Sequence, residues 1–326
     1  MTSADLVRAA VAGERTPRPP YGFWTHFPIT DLDPVALADE SLRFARATRM
    51  DFIKAMPNGM FAVEDWGVVS DFSEIASGGA ARVVKSPIAA ADDWGGVRRL
   101  DVTAGAFGRE LTHLARLVER AGPDLPVLAT VFSPLTIAKK LCPEGFEGYL
   151  RSERPRVEAA LGMIADTMRD FAERALALGC AGVFLAVQDA TPAVGAETFR
   201  TLGRRFDLAV LAGAGAGWCN AVHLHGDDVL FDAVADYPVQ VLNWHIGETA
   251  PSIAEYRAAG GKKAVLGGLR RTNLTRGDAA GIAEDIAAAR AADDARGVLF
   301  GPGCVIRHPC DLAVLNRVAD MLRSGT

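Results

Sequence analysis

Short runs of β-branched and aromatic residues alternate along the chain with longer stretches in which apolar positions recur every three or four residues. That is the pattern of strands followed by helices. The predicted strands are Gly22–Phe27, Asp51–Met56, Pro126–Phe132, Gly182–Val187, Asn220–His225, Gln240–His245, Lys263–Gly268 and Gly297–Gly301. The predicted helices are Pro34–Thr48, Ala104–Ala121, Arg154–Leu178, Thr198–Ala212, Val229–Tyr237, Ser252–Ala259, Asp278–Asp293 and Leu312–Arg323. Eight strands in alternation with helices, and no Gly-x-Gly-x-x-Gly turn after the first strand, favour an α/β (β/α)8 TIM barrel over an open dinucleotide-binding sheet. Residues Asn58–Asp101 break the alternation, with Trp66, Trp94 and glycines interrupting it. They read as a long insertion after the second strand, a common source of lids and pocket walls. A length of 326 residues suits one large barrel, and no linker, repeat or low-complexity tract divides the chain, so residues 1–326 are expected to form a single domain.

Composition narrows the function classes. Hydrophobic residues make up 49% and charged residues 23% of the chain, an ordinary globular balance that argues against disorder, collagen or coiled coil. The formal charge is -5 and the arginines are dispersed among acids, so there is no basic stripe for a nucleic acid. No apolar run approaches the ~20 residues that span a bilayer. The first residues read as a short amphipathic helix with a Pro-rich exit rather than a signal peptide, which predicts a cytoplasmic protein. Five cysteines at irregular spacing do not make a disulfide framework, so each is a buried apolar residue, a metal ligand or a catalytic thiol.

In a barrel of this kind chemistry gathers at the C-terminal ends of the strands. Four of the six histidines fall there: His26, His223, His225 and His245. His223 and His225 lie two residues apart on one strand and so share a face, while Cys304 follows the last strand and returns to the same mouth. Imidazole and thiolate suit Zn²⁺, and three protein ligands leave one position open for substrate or water. The alternative is that the histidines only hydrogen-bond in a polar barrel mouth and Cys304 is an inert thiol. His245 is a candidate fourth ligand or acid/base group, against a packing role beside Trp244. Glu64 and Asp65 offer a carboxylate from the insertion, and Gln188 and Asp189 end the fourth strand. Glu64 and Asp189 join His245 as candidate catalytic residues; His26, Asn58, Gln188 and Arg270 are the candidate substrate-binding residues. Arg270 and Arg271 suit a carboxylate or phosphate, although a solvated loop accounts for them equally well. His308 and Cys310 read as structural, His113 as a partly exposed helix residue, and Cys142, Cys180 and Cys219 as small apolar residues.

These residues also carry a family likeness. The helix and Arg18-Pro19-Pro20 before the first strand, Val131-Phe132-Ser133-Pro134-Leu135, His223-x-His225-Gly226, Gly267-Gly268 and Gly301-Pro302-Gly303-Cys304 together resemble the uroporphyrinogen decarboxylase superfamily over essentially the whole chain. That superfamily includes the porphyrinogen decarboxylases and the zinc-dependent methylcobamide:coenzyme M methyltransferases. The decarboxylases carry an Arg-Gln-Ala-Gly-Arg motif after the Pro-Pro, where this chain has Tyr21-Gly22-Phe23-Trp24-Thr25-His26-Phe27-Pro28 and no arginine. The methyltransferase branch carries His-x-Cys on strand five and a Cys in the last strand's loop, both zinc ligands; here His223, His225 and Cys304 stand at those positions, with one Cys replaced by His. The resemblance therefore implies a zinc-dependent methyl or alkyl transferase that activates a small thiol, with a corrinoid or corrinoid protein as methyl donor, and a homodimer. His, His and Cys leave the ion a formal charge of +1, which makes it a stronger Lewis acid than a His-Cys-Cys site. The competing readings are a metal-assisted hydrolase or lyase, a metal-free decarboxylase using Arg270 with Asp189 or Asp65, and a non-catalytic corrinoid or thiol carrier.

Overall fold

A computed structural model describes residues 1–28, 30–74, 81–292 and 296–324. Seven parallel strands, β1 (Ile53–Lys54), β4 (Val127–Phe132), β5 (Gly182–Val187), β6 (Ala221–Leu224), β7 (Val241–Trp244), β8 (Ala264–Leu269) and β9 (Val298–Pro302), hydrogen-bond in that order into one curled sheet of the TIM-barrel type. Every residue of these seven strands is buried, as expected of a parallel sheet covered on both faces. The two faces alternate along each strand. Phe52, Leu128, Phe184, Ala221, Val241, Leu266 and Leu299 form an inner cluster with Val7 and Ala10 of the first helix, α1 (Ser3–Val11). Ile53, Val131, Leu185, Val222, Leu242 and Val265 face outward into the larger core beneath the helices.

The helices are set by ordinary end signals. Asp33 accepts from the backbone N–H groups of Val35 and Ala36 and Pro34 opens α2 (Pro34–Ala47). Ser252 and Glu255 form a reciprocal capping box on α10 (Ile253–Ala258). Asp65 reaches across from the chain after β1 to accept from Ala106 N–H at 2.9 Å and Phe107 N–H at 3.1 Å, at the start of α4 (Gly105–Ala121). α7 (Arg154–Ala177), α12 (Ala279–Ala291) and α13 (Leu312–Ser324) fall where periodicity predicts them; Asp293, at the end of one predicted helix, lies outside the described residues.

Several expectations are corrected. The segment predicted as the first strand is extended but makes only single bridges, Tyr21 to Phe300 and Thr25 to Ile306, so it is not a regular strand. It nevertheless touches both edges of the sheet: Gly22 N–H donates to Phe300 O, Phe300 N–H to Pro20 O, and Asp51 N–H to Tyr21 O. Val229–Tyr237 is not a helix beyond one 3-10 turn, Phe231–Ala233, because Phe231 is drawn down onto Trp244 at 4.9 Å and Tyr256 at 5.8 Å. Between β1 and α4 the chain builds a short helix α3 (Phe61–Glu64), an antiparallel hairpin of β2 (Val69–Asp71) and β3 (Arg82–Lys85), and a 3-10 turn Ala91–Gly96. Residues 75–80 of that stretch lie outside the described residues. Short helices α5 (Pro134–Leu141), α6 (Phe146–Ser152) and α11 (Arg271–Arg276) add to the predicted set, and the predicted Thr198–Ala212 helix forms as α8 (Ala196–Thr198) and α9 (Arg204–Ala212) joined without a break by a π turn.

Asp51 ties the lower end of this architecture together. Its buried carboxylate accepts two bonds from Arg18 at 2.6 and 2.7 Å, one from Ser3 Oγ at 3.0 Å and one from Tyr21 N–H at 3.1 Å. Removing the guanidinium would strand a buried charge. Arg18→Leu is expected to cost about 3 kcal/mol in urea unfolding, and Asp51→Ala a comparable amount.

Candidate functional site

The alternation that places Phe52, Leu128, Phe184, Ala221 and Val241 inside the curled sheet places Lys54, Thr130, His223 and Asn243 on the same face one step further along. Lys54, Thr130 and His223 open onto a cavity of about 520 Å³ at the C-terminal ends of the strands, where Trp24, His26, Met56, Gln188, His225 and Cys304 join its wall; Asn243 stands behind His223. Of the predicted residues, His26, Gln188, His223, His225 and Cys304 line the cavity. Asn58 stands just behind, donating from its amide to Asp31, a lining carboxylate, at 3.3 Å.

His223, His225, His245 and Cys304 converge, one donor atom from each lying within 4.8 Å of the others. Cys304 Sγ is 3.4 Å from His225 Nδ1, and the His225 and His245 rings meet edge to face at 4.9 Å. Pairing of β6 with β7 sets His223 directly opposite Asn243. The Asn243 amide nitrogen donates to Leu266 O at 2.6 Å and to Pro302 O at 3.3 Å, so its Oδ1 is left as the acceptor facing His223 Nδ1 at 2.5 Å. That contact requires the proton on Nδ1 and leaves His223 Nε2 with a free lone pair. Gly303 permits the approach of the Cys304 loop: a Cβ there would stand 2.9 Å from His245 Cα and 2.9 Å from Trp244 O, both unyielding backbone atoms.

Electrostatics keeps the imidazoles neutral. Burial, reinforced by the neighbouring rings, holds His223 well below the ordinary histidine value, and burial lowers His225 to about 4 and also depresses His245. Burial raises the Cys304 thiol. His245 Nδ1 is buried without a hydrogen-bond partner, 3.5 Å from Asp227 and 3.7 Å from Glu248. Three neutral imidazoles and one thiol make a donor set that fits a borderline cation such as Zn²⁺.

Other predicted residues are engaged elsewhere. Glu64 is paired with Arg109 at 2.9 Å and Asp189 with Lys139 at 3.1 Å; neither lines the cavity. Arg270 is held by Asp285 at 2.6 Å, and Arg271 by Glu248 at 3.3 Å. His113 is fully buried beside Glu110 at 3.0 Å rather than partly exposed, and His308, read as structural, reaches the cavity wall. Three contributors had no role assigned in the sequence. Lys54 carried a visible signal, an ionisable residue between Phe52 and Met56 on one strand face; Asn243 is visible only once register is known. Lys140 sits on α5, whose Ser133-Pro134 start was the missed sign.

The chain belongs to the uroporphyrinogen decarboxylase (URO-D) family, whose model matches residues 2–324. Among solved structures it is similar to a methyltransferase from Methanosarcina mazei, with a TM-score of 0.85 at 16% identity over 100% of this chain and 99% of that one. It is similar also to a B12-independent methionine synthase from Shewanella sp. W3-18-1 in complex with selenomethionine, with a TM-score of 0.56 at 13% identity over 94% of each chain. A putative vitamin-B12 independent methionine synthase from Listeria monocytogenes gives a TM-score of 0.58 at 12% identity over 94% of this chain and 96% of that one. These likenesses establish the fold. No curated protein sequence matches the chain.

Burial lowers Lys54 to about 7 and Lys140 to about 8. In the unfolded chain both stay protonated to near 10.4, so between pH 7 and 10 the unfolded state binds more protons and stability rises with pH. Denaturant titrations across that range should show this rise, and it should shrink in Lys54→Met.

Proposed function

We propose that the protein is an enzyme of the methyltransferase branch of its family: a zinc-dependent methyl or alkyl transferase that activates a small thiol, with a corrinoid as donor. The observation that carries the reading is the His223, His225 and Cys304 donor set, oriented by Asn243 and flanked by His245. The M. mazei methyltransferase supports it as a likeness over the full chain. The porphyrinogen decarboxylase reading is disfavoured by the stretch Tyr21–Pro28, which offers no arginine for propionates. In this account residues 1–326 form one (β/α)8 domain, with the extended segment through Tyr21 and Thr25 as the first stave. Residues 58–101 act as an insertion that contributes Gly59, Met60 and Ala81 to the cavity wall.

His223 Nε2, His225 and the Cys304 thiolate would hold the ion, with His245 as fourth ligand or as a proton acceptor beside the open position. Zinc held there supplies Lewis acidity that lowers the pKa of a thiol or water ligand. The chain's own residues do the rest. Asn243 keeps the His223 proton on Nδ1; Trp24, Met56, Phe132 and Phe184 exclude water from the cavity; Gln188 and His26 present polar edges to the substrate. Glu64, Asp189 and Arg270 are assigned supporting roles through their ion pairs, which fix α3, the end of β5 and the end of β8. No described helix is long and apolar enough to cross a membrane. The proposed setting is the cytoplasm, without nucleic-acid partners, and with a corrinoid protein and a second copy of the chain as the partners to test.

The reading predicts about one zinc per chain by elemental analysis of untagged protein, lost in Cys304→Ala and His225→Ala. Asn243→Ala is expected to retain the ligands yet weaken zinc by about 10- to 100-fold in a chelator competition. Gly303→Ala should weaken it too, by displacing the Cys304 loop. Metal-free wild type would defeat the transferase reading and favour a metal-free decarboxylase.

A further inference from the structure

The same cavity holds two ammonium groups that the metal reading does not use. Lys54 is 8% exposed, and its Nζ meets Met56 Sδ at 2.6 Å and the face of Phe184 at 5.0 Å. Lys140 Nζ donates to Gly59 O at 3.1 Å and lies 4.5 Å over the Phe132 ring. Neither forms an ion pair among the described residues, although a buried lysine is ordinarily matched by a carboxylate. Asp189 is taken by Lys139, and the one acid in the cavity wall, Asp31, is engaged with Asn58. Burial, reinforced by the fields of Lys54 and Lys140, holds His26 at about 4, so it is a neutral hydrogen-bond donor in the same wall as the two lysines. Exposed Arg307 and half-buried His308 complete a wall rich in nitrogen donors.

A cavity wall that sets two lysines, Lys54 buried and Lys140 half-buried, against aromatic rings with no carboxylate in ion-pair reach among the described residues is built to receive a counter-ion with its ligand, and that anion would hold both amines in their charged form. We propose that Lys54, His26 and Lys140 form an oxyanion subsite, so that the substrate carries a carboxylate, sulfonate or phosphate group anchored beside the His/Cys cluster. The volume of about 520 Å³ and the apolar faces of Trp24, Met56, Phe132 and Phe184 limit that substrate to a small molecule with a short apolar body. This deepens the reading of the site just given, but anion binding itself requires no metal.

The test is calorimetric titration of zinc-free protein with propionate, methanesulfonate and inorganic phosphate, with propionamide as the neutral control. The expected result is that at least one anion binds, that propionamide does not, and that affinity falls about tenfold or more in Lys54→Met and in Lys140→Met. The preferred anion identifies the head group. Methionine fills the lysine volume without a charge, so both variants are expected to fold, and melting curves check it. Propionamide binding as well as propionate, no anion binding, or wild-type affinity in both variants would overturn the subsite. Zinc analysis of Cys304→Ala reads the metal assignment separately: zinc retained there defeats that assignment and leaves the oxyanion subsite to stand or fall on the titrations.

Discussion

The Asn243 side chain is where fold and site become one structure. Its amide nitrogen bonds to the carbonyls of Leu266 on β8 and Pro302 on β9, and its oxygen meets His223 on β6. One residue on β7 thus joins four consecutive strands and at the same time fixes a histidine's tautomer. Fully satisfied buried networks of this kind specify a unique arrangement, because any slip leaves polar atoms unpaired in a low-dielectric interior. A one-residue slip of β7 against β6 would also turn Asn243 away from His223 and bring Trp244 to that face.

The cavity floor and wall divide the chemistry. On one side three neutral imidazoles and a thiol gather without any carboxylate among the four closest donors. On the other, two lysines sit over aromatic rings with no ion-pair partner among the described residues. The two sets are coupled, since Lys54 and the Cys304 sulfur influence each other's ionisation. An anionic sulfur at Cys304 favours a charged Lys54, and a charged Lys54 favours the thiolate. A thiolate at Cys304 and a bound oxyanion would therefore each favour the charged form of Lys54, whose hold on its proton is weakened by burial alone.

Much of this was legible in the sequence, and the failures have physical causes. Strands such as Val127–Phe132 and Gly182–Val187 were legible because both faces are buried, so their apolar runs are continuous. His223, His225 and Cys304 were legible because the period of two and the curl of the sheet bring strand ends together. Asn243 was not assigned a role, because its function comes from register and not from local pattern. Lys140 was hidden by an unpredicted short helix, and Val229–Tyr237 failed because a tertiary contact of Phe231 with Trp244 outweighed helical periodicity. Asp189 and Arg270 were recognisable as ionisable residues near strand ends and Glu64 as an acid in the insertion, but their partners, Lys139, Asp285 and Arg109, come from other helices.

X-ray absorption at the zinc edge of protein reconstituted with one equivalent of Zn²⁺ tests the central claim most directly. The account predicts a mixed shell with one sulfur at about 2.3 Å and imidazole nitrogens at about 2.0–2.1 Å, the sulfur disappearing in Cys304→Ser. A shell of nitrogen and oxygen alone in the wild type, or one unchanged by that substitution, would contradict it.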